Sequence, residues 1–246
     1  MTDYKYFLKD SIRKRVDFSR TAQSRGLPPP PIEKPCPENA RKINLPDTGD
    51  WDTVQAVPLV NAIANRKSHR APTKGSLKLS ELSFLLWATQ GVRKKEGVYH
   101  ALRTVPSAGC RHSFETYIAA FHVEGLDKGV YRYLPLSHKL VECFTHDDLE
   151  KNVARMALGQ GFAGKSAATF VWTTVTSRME WRYGTASYKV IALDAGHVCQ
   201  NLYLACEAVN CGTCAIAAYD QEFADAFLGL DGEDEFTIYM APVSCL

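Results

Sequence analysis

The sequence predicts an α+β fold, and three patterns predict it. Short β-rich runs and helical patterns are interspersed without the regular alternation of a doubly wound sheet. The longest helical pattern, residues 189–209, carries apolar or small side chains on both faces, which places it centrally or at a subunit interface. The string Gly159-Gln160-Gly161-Phe162-Ala163-Gly164 matches G-x-G-x-x-G, yet a helical pattern precedes it and a strand follows. A dinucleotide site needs the reverse order, so the string reads as a flexible helix-to-strand connection.

Bulk properties bound the function. A chain of 246 residues with 46% hydrophobic composition can bury a substantial core, as one large domain or two small ones. A net charge of +2 is too small to argue for a nucleic-acid partner. No apolar run is long enough to span a bilayer, and Met1-Thr2-Asp3-Tyr4-Lys5 lacks the apolar stretch of a secretory signal. A soluble, cytoplasmic protein is therefore expected, with no membrane partner. Eight cysteines lie scattered among apolar neighbours in a chain far longer than a disulfide scaffold, which favours reduced thiols that mostly fill the core.

In chain order, residues 1–56 stand apart. They are basic and aromatic at first, then rich in proline (Pro28 to Pro31, Pro35, Pro37, Pro46). Such a stretch makes no core of its own and is either disordered or extended over the body or a partner subunit. Tyr4, Tyr6, Phe7, Phe18 and Trp51 favour the anchored arm, because aromatic surface is costly to leave in water. The second expected unit is 57–246. Residues 59–64 read as a helix that stops short of Pro72, and 81–90 as a core helix with Leu82, Leu85 and Leu86 at helical spacing and Gly91 as its stop. Residues 103–109 form a small-residue loop, and 116–123 a buried strand. A hairpin follows (130–134 and 140–144), then a helix (149–158) and a strand (168–176). Residues 181–188 read as a polar loop before the long helix, which Gly212 closes. His197 in that helix reads as a satisfied buried or interface group. A strand (213–219), a helix (222–228) and a last strand (236–242) complete the pattern.

Two constellations carry chemistry. Cys206-x4-Cys211-x2-Cys214 with Cys245 copies the spacing of plant-type iron-sulfur ligands. Against it, Cys206 lies inside the long helix and Cys214 in an apolar strand, whereas a cluster needs open backbone amides. Zinc is disfavoured because no His pair accompanies the single C-x2-C, so no metal is expected. The other constellation is Arg66-Lys67-Ser68-His69-Arg70. Two guanidinium forks four residues apart on a helical turn would share a face and suit a phosphate. The competing reading is a solvated basic helix end.

That cluster opens a resemblance to the FMN-dependent nitroreductase family. Arg66-Lys67-Ser68-x-Arg70 is similar to the family's R-R-S-x-R. Residues 79–92 resemble a helix of its SagB-type dehydrogenase branch, and Arg103-Thr104-x-Pro106-Ser107-Ala108-Gly109 resembles that branch's R-T-x-P-S-A-G. Trp181, Tyr183-Gly184, Tyr188, Leu193-Asp194-Ala195-Gly196-His197 and Gln200-Asn201-Leu202 follow it in order, so the likeness covers residues 57–246.

The resemblance implies a nitroreductase-like fold, with a central, mostly antiparallel sheet flanked by helices, in an intertwined homodimer with FMN between the subunits. Arg66, Lys67, Ser68 and Arg70 would hold the phosphate and polar edge, with Arg103 in the motif of the second segment. Pro106, Ser107, Ala108 and Gly109 would pass a flat flavin, and Ala217 and Ala218 would offer backbone near N5. Hydride would pass through N5 between a donor such as NAD(P)H and a small organic acceptor, a nitro compound or quinone, or a ring substrate would be dehydrogenated. Tyr188 and Lys189 are candidates for supplying a proton or a base, the alternative being a loop anchor and helix start. A flavin-binding protein without turnover, for storage or sensing, is the alternative function. The chain departs from the pattern at Cys110-Arg111-His112-Ser113, where the branch has an aromatic and Pro. Ala217 stands where many nitroreductases have an acidic residue, and the basic residues that follow the last strand in many relatives are not matched, so phosphate binding is expected to rest more heavily on Arg66 and Arg70.

Overall fold

The structure is a computed structural model and describes residues 4–97 and 99–246. The elements in chain order are β1 (Lys42–Asn44), α1 (Leu59–Asn65), α2 (Leu79–Gln90), β2 (Val92–Lys95), β3 (Ala101–Arg103), β4 (Phe114–Ala120), β5 (Gly129–Leu134) and β6 (Lys139–Phe144). They continue with α3 (Leu149–Met156), β7 (Ala168–Val175), α4 (Ser177–Tyr183), α5 (Ser187–Glu207), β8 (Cys211–Thr213), α6 (Gln221–Leu228) and β9 (Glu235–Cys245).

Seven strands form one antiparallel sheet in the order β1-β6-β5-β4-β7-β9-β8. All seven residues of central β4 are buried, because helices cover both faces of the sheet. The period of two sorts them. Phe114, Ile118 and Ala120 join Leu82, Leu85 and Leu86 of α2 and Ile191, Val198 and Leu202 of α5 in one core layer. Tyr117 and Ala119 point the other way, into a layer with Leu149, Val153 and Met156 of α3 and Ala224 of α6. The expected α+β architecture with an antiparallel sheet between helices is what the chain adopts.

Most predicted elements are present within a few residues, and four expectations are corrected. Arg66–Arg70 is not a helical turn. Helix α1 ends at Asn65, Arg66 has extended dihedrals, and Ser68 makes a parallel bridge to Thr213 at the sheet edge. The segment predicted as a polar loop, 181–188, is helical at both ends, with α4 running to Tyr183 and α5 beginning at Ser187. The turn after α5 is made by Asn210 at φ 48°, and Gly212 lies inside β8. The strand predicted at 213–219 is only Cys211–Thr213, and beyond it Ile216 bridges Met240 alone. Strand β9 is correspondingly longer than expected, at 11 residues.

Residues of the proline-rich stretch lie on the body through backbone acceptors. Arg178 Nε donates to Pro31 O at 2.7 Å, Arg103 Nη2 to Ile32 O at 2.8 Å, and Arg132 Nη1 to Lys34 O at 2.8 Å. A proline-rich strand has few N–H donors to pair, so its carbonyls carry the attachment. Strand β1 adds to β6 further on, and Trp51 packs edge-on against Phe84 and Trp87. Phe7, expected as an anchor, is half exposed.

Candidate functional site

The basic cluster is built by its extended backbone. Arg66 and Ser68 both reach Tyr203 of α5, whereas the His69 ring lies against Gly212. His69 N donates to Thr213 O at 2.9 Å, and its ring covers Gly212 so closely that no larger residue fits there. Tyr203 organises the group. Its hydroxyl lies 2.9 Å from Ser68 Oγ and accepts from Ala215 N at 2.9 Å, while the Arg66 guanidinium sits 5.3 Å from the ring centroid. Among the described residues no carboxylate pairs with Arg66, Lys67 or Arg70. The Arg66 guanidinium beside the Ser68 hydroxyl supplies donors of the kind phosphate oxygens accept from, and Lys67 and Arg70 add positive charge to the same segment.

The loop Pro106–Gly109 is held at the other end of α5. Ala108 N donates to Asp194 Oδ2 at 3.2 Å, and Asp194 is buried, so burial raises its carboxyl while the hydrogen bonds of Ser107 and Ala108 oppose the rise. Gly109 has φ 58°, and a Cβ there would come within 2.6 Å of the Tyr183 hydroxyl and 2.7 Å of Arg182 Cδ. Both favour glycine at this position. Pro106 and Gly109 are exposed, leaving a loop surface without bulk.

Behind the loop, the departure at residues 110–113 becomes a buried polar wall. Arg111 is buried, donates through Nε to Arg178 O at 3.1 Å and lies 4.6 Å from the Trp181 ring centroid, with both Nη atoms lacking a protein partner. His112 N donates to Ser107 Oγ at 3.0 Å. Burial, with Arg103, Arg111 and Arg178 nearby, pushes the His112 imidazole down to about 3. Its folded value lies below the ordinary 6.5, so the unfolded chain binds the extra proton and stability falls as pH drops from 6.5 towards 3. At pH 5 this amounts to about 2 kcal/mol, at roughly 1.4 kcal/mol per pH unit. We expect His112→Asn to flatten the pH 5 to 6.5 limb of a urea-denaturation series; an unchanged limb would place the proton elsewhere.

The other predicted site residues are placed as follows. Arg103 is buried; its Nη atoms donate to Gln90 Oε1 (2.7 Å), Ile32 O and Phe114 O (3.5 Å) while its Nε lacks a protein partner, and burial beside Arg178 lowers it to about 10. It holds the fold around the loop and is not brought together with Arg66 and Arg70. Ala217 and Ala218 are exposed after the Ile216–Met240 bridge, and Ala218 O accepts from Gln160 Nε2 at 3.1 Å. Tyr188 is exposed with burial and Glu180 raising its hydroxyl, and Lys189 Nζ donates to Leu8 O at 2.7 Å. His197 is exposed, its imidazole 3.9 Å from Asp194, which corrects the buried reading. Cys206, Cys211, Cys214 and Cys245 are free thiols, and among the described residues no three metal-ligating side chains gather into a site. Tyr203 and Asp194, which join the two parts to α5, were not singled out as functional. An aromatic in a helical stripe looks like core, and only its link to the basic segment shows otherwise.

The fold is that of an oxidoreductase family, as the comparisons with known proteins show. The nitroreductase family model matches residues 63–243. A candidate nitroreductase of Methanocaldococcus jannaschii is 30% identical over 185 residues, 75% of this chain and 88% of that protein. The trifolitoxin-processing protein TfxB of Rhizobium leguminosarum bv. trifolii is 25% identical over 74% of this chain, which spans about half of that longer protein (52%). The crystal structure of a candidate nitroreductase from Ralstonia eutropha, 28% identical, superposes with a TM-score of 0.68 over 89% of this chain and 98% of that one. The chain therefore belongs to the nitroreductase family, whose members generally use FMN with NAD(P)H. Among the described residues no helix is long and apolar enough to cross a membrane.

Proposed function

We propose that this protein is an FMN-dependent oxidoreductase whose cofactor lies between two copies of the chain. The observation that carries the reading is the position of the two half-sites on α5. Tyr203 and Asp194 are nine residues apart, which is about 13 Å along the axis and half a turn around it. The cationic segment and the bulk-free loop thus lie on opposite faces of one helix, and a single flat ligand reaches both only if one comes from each subunit. An unpartnered seam favours such a pairing: Leu193, Gly196 and His197 of α5 are exposed, as are Leu59, Val60 and Ile63 of α1.

In this assignment Arg66, Ser68 and Arg70 hold the phosphate, with Lys67 adding positive potential. Pro106 to Gly109 lie flat along the ring system, kept in place by Asp194. Ala217 and Ala218 offer backbone beside the reactive edge. Bound FMN supplies hydride acceptance and donation at N5, between NAD(P)H and a nitro compound or quinone, or in removing hydride from a saturated ring substrate. The chain is also similar to TfxB, which is named for processing trifolitoxin. Tyr188, exposed, and Lys189, half-buried, stand at the head of α5 and are assigned proton transfer at the mouth.

Purified protein should be yellow, with absorption bands at about 370 and 450 nm that bleach on adding NAD(P)H and return with a nitroaromatic or quinone. Colourless protein that does not take up added FMN sinks the reading. Flavin that binds but is reoxidised no faster by any acceptor than by oxygen would instead indicate storage or sensing.

A further inference from the structure

The cysteines that imitate iron-sulfur spacing have a different use. Cys211 of β8 and Cys245 of β9 are direct partners in the antiparallel register. Leu246 N donates to Asn210 O across the strands, so 211 and 245 form a pair without hydrogen bonds between them, the kind whose side chains approach more closely. The outward bonds of Cys245 agree: its N–H donates to Thr73 Oγ1 at 3.1 Å and its carbonyl accepts from Lys74 N at 3.1 Å. The two sulfurs are 3.8 Å apart and both thiols are free. Cα spacing of such pairs falls within the range a disulfide spans, and closing the sulfurs needs a shift of about 2 Å, within reach of side-chain rotation.

We propose that Cys211 and Cys245 are a site of reversible oxidation by peroxide, forming a cross-strand disulfide at the β8 edge of the sheet. Cys245 is the half-buried member and Cys211 the buried one, so peroxide meets Cys245 first. The hydrogen bond from Cys211 Sγ, together with Thr73, lowers the Cys245 thiol to about 7 and gives it thiolate character at neutral pH. The Cys245 thiolate attacks a peroxide oxygen, giving a sulfenic acid and water once the leaving hydroxide takes a proton. Cys211 sulfur then attacks the sulfenic sulfur, loses its proton and expels a second water. Two thiols lose two electrons, and one peroxide is reduced to two waters.

The position gives the bond a consequence. Thr213, two residues from Cys211, holds Ser68 and His69 by the parallel bridge, and Lys74 is tied to Cys245. The disulfide therefore staples the sheet edge against which residues 66–74 lie. It does not depend on the proposed cofactor.

The test is peptide mapping. Peroxide-treated protein is alkylated without reduction and cut by a glutamyl endopeptidase, which separates residues 208–222 from 236–246 by cutting at Glu207, Glu222 and Glu235. The expected product is these two peptides joined, two hydrogens lighter than their sum and separated by dithiothreitol, with fragment ions placing the link at Cys211. Cys214→Ser should keep the link. Cys211→Ser should abolish it and leave Cys245 as a sulfenic acid that dimedone traps. A link at Cys214, a link surviving Cys211→Ser, or full alkylation of both thiols after peroxide treatment would overturn the proposal.

Discussion

Glu115→Ala should lower the free energy of unfolding by about 3 to 5 kcal/mol, the usual cost of breaking a buried ion pair by removing one partner. Glu115 lies in central β4 with its side chain 2% exposed. Its carboxylate accepts from Arg178 Nη2 at 2.6 Å, Arg132 Nη1 at 3.0 Å and Lys34 N at 2.8 Å. Burial alone would raise its carboxyl; Arg178 and Arg132 outweigh that and hold it below the ordinary range. Truncation leaves two buried guanidiniums facing each other with no counter-charge. Both also hold the proline-rich segment, through Pro31, Lys34 and Pro35 carbonyls, so the loss extends to that stretch. Equilibrium urea unfolding measures the cost, and limited proteolysis should show faster cleavage within residues 20–40. A loss below about 1 kcal/mol would mean the cluster is hydrated in solution. Glu115→Gln should cost less, because it keeps an acceptor for one arginine and the Lys34 amide.

This carboxylate illustrates what the sequence does not disclose. Helical and strand periods report which faces are apolar, so α2, α5, β4 and the β5–β6 hairpin are legible from Leu82, Leu85, Ile118 or Val130 alone. Glu115 lies one residue before the stretch that reads as a buried strand, 116–123, and nothing local says that its partners are Arg132 and Arg178, 17 and 63 residues away. Long-range pairing of this kind is fixed by strand order. The Arg66 to Arg70 segment shows the complementary failure. Its composition suggests an anion site, but its conformation follows from Thr213 across the sheet edge, which a local helical reading does not contain. The 181–188 stretch was missed because Gly184 suggested a loop, whereas at φ 51° it makes the break between two helices. The Pro106 to Gly109 loop was legible because lack of bulk is a property of the residues themselves.

On the proposed reading, the largest functional effect comes from Arg66→Ala combined with Arg70→Ala. Each charge-assisted hydrogen bond to a phosphate contributes about 1.5 to 3 kcal/mol, so the pair should weaken FMN binding by roughly 3 to 6 kcal/mol, or about a hundredfold at least. The fold should tolerate it. Arg70 is exposed, and Arg66 makes a contact with the Tyr203 ring worth about 0.5 to 1 kcal/mol. FMN titration followed by fluorescence gives the affinity, and circular dichroism checks the fold; unchanged affinity removes the assigned role. The same variant tests where the site is completed. Gly109→Val disables the other half-site, through strain at φ 58° and contact with Tyr183. If each FMN uses the cations of one copy and the loop of the other, a mixed dimer of the two variants contains one intact site and one doubly damaged site. Mixed, unfolded and refolded together in equal amounts, the variants should recover about a quarter of wild-type FMN sites, since half the dimers are mixed and each restores one site of two. A site contained within one chain would recover none, because every chain carries one defect. The opposite faces of α5 on which Tyr203 and Asp194 lie favour the first outcome.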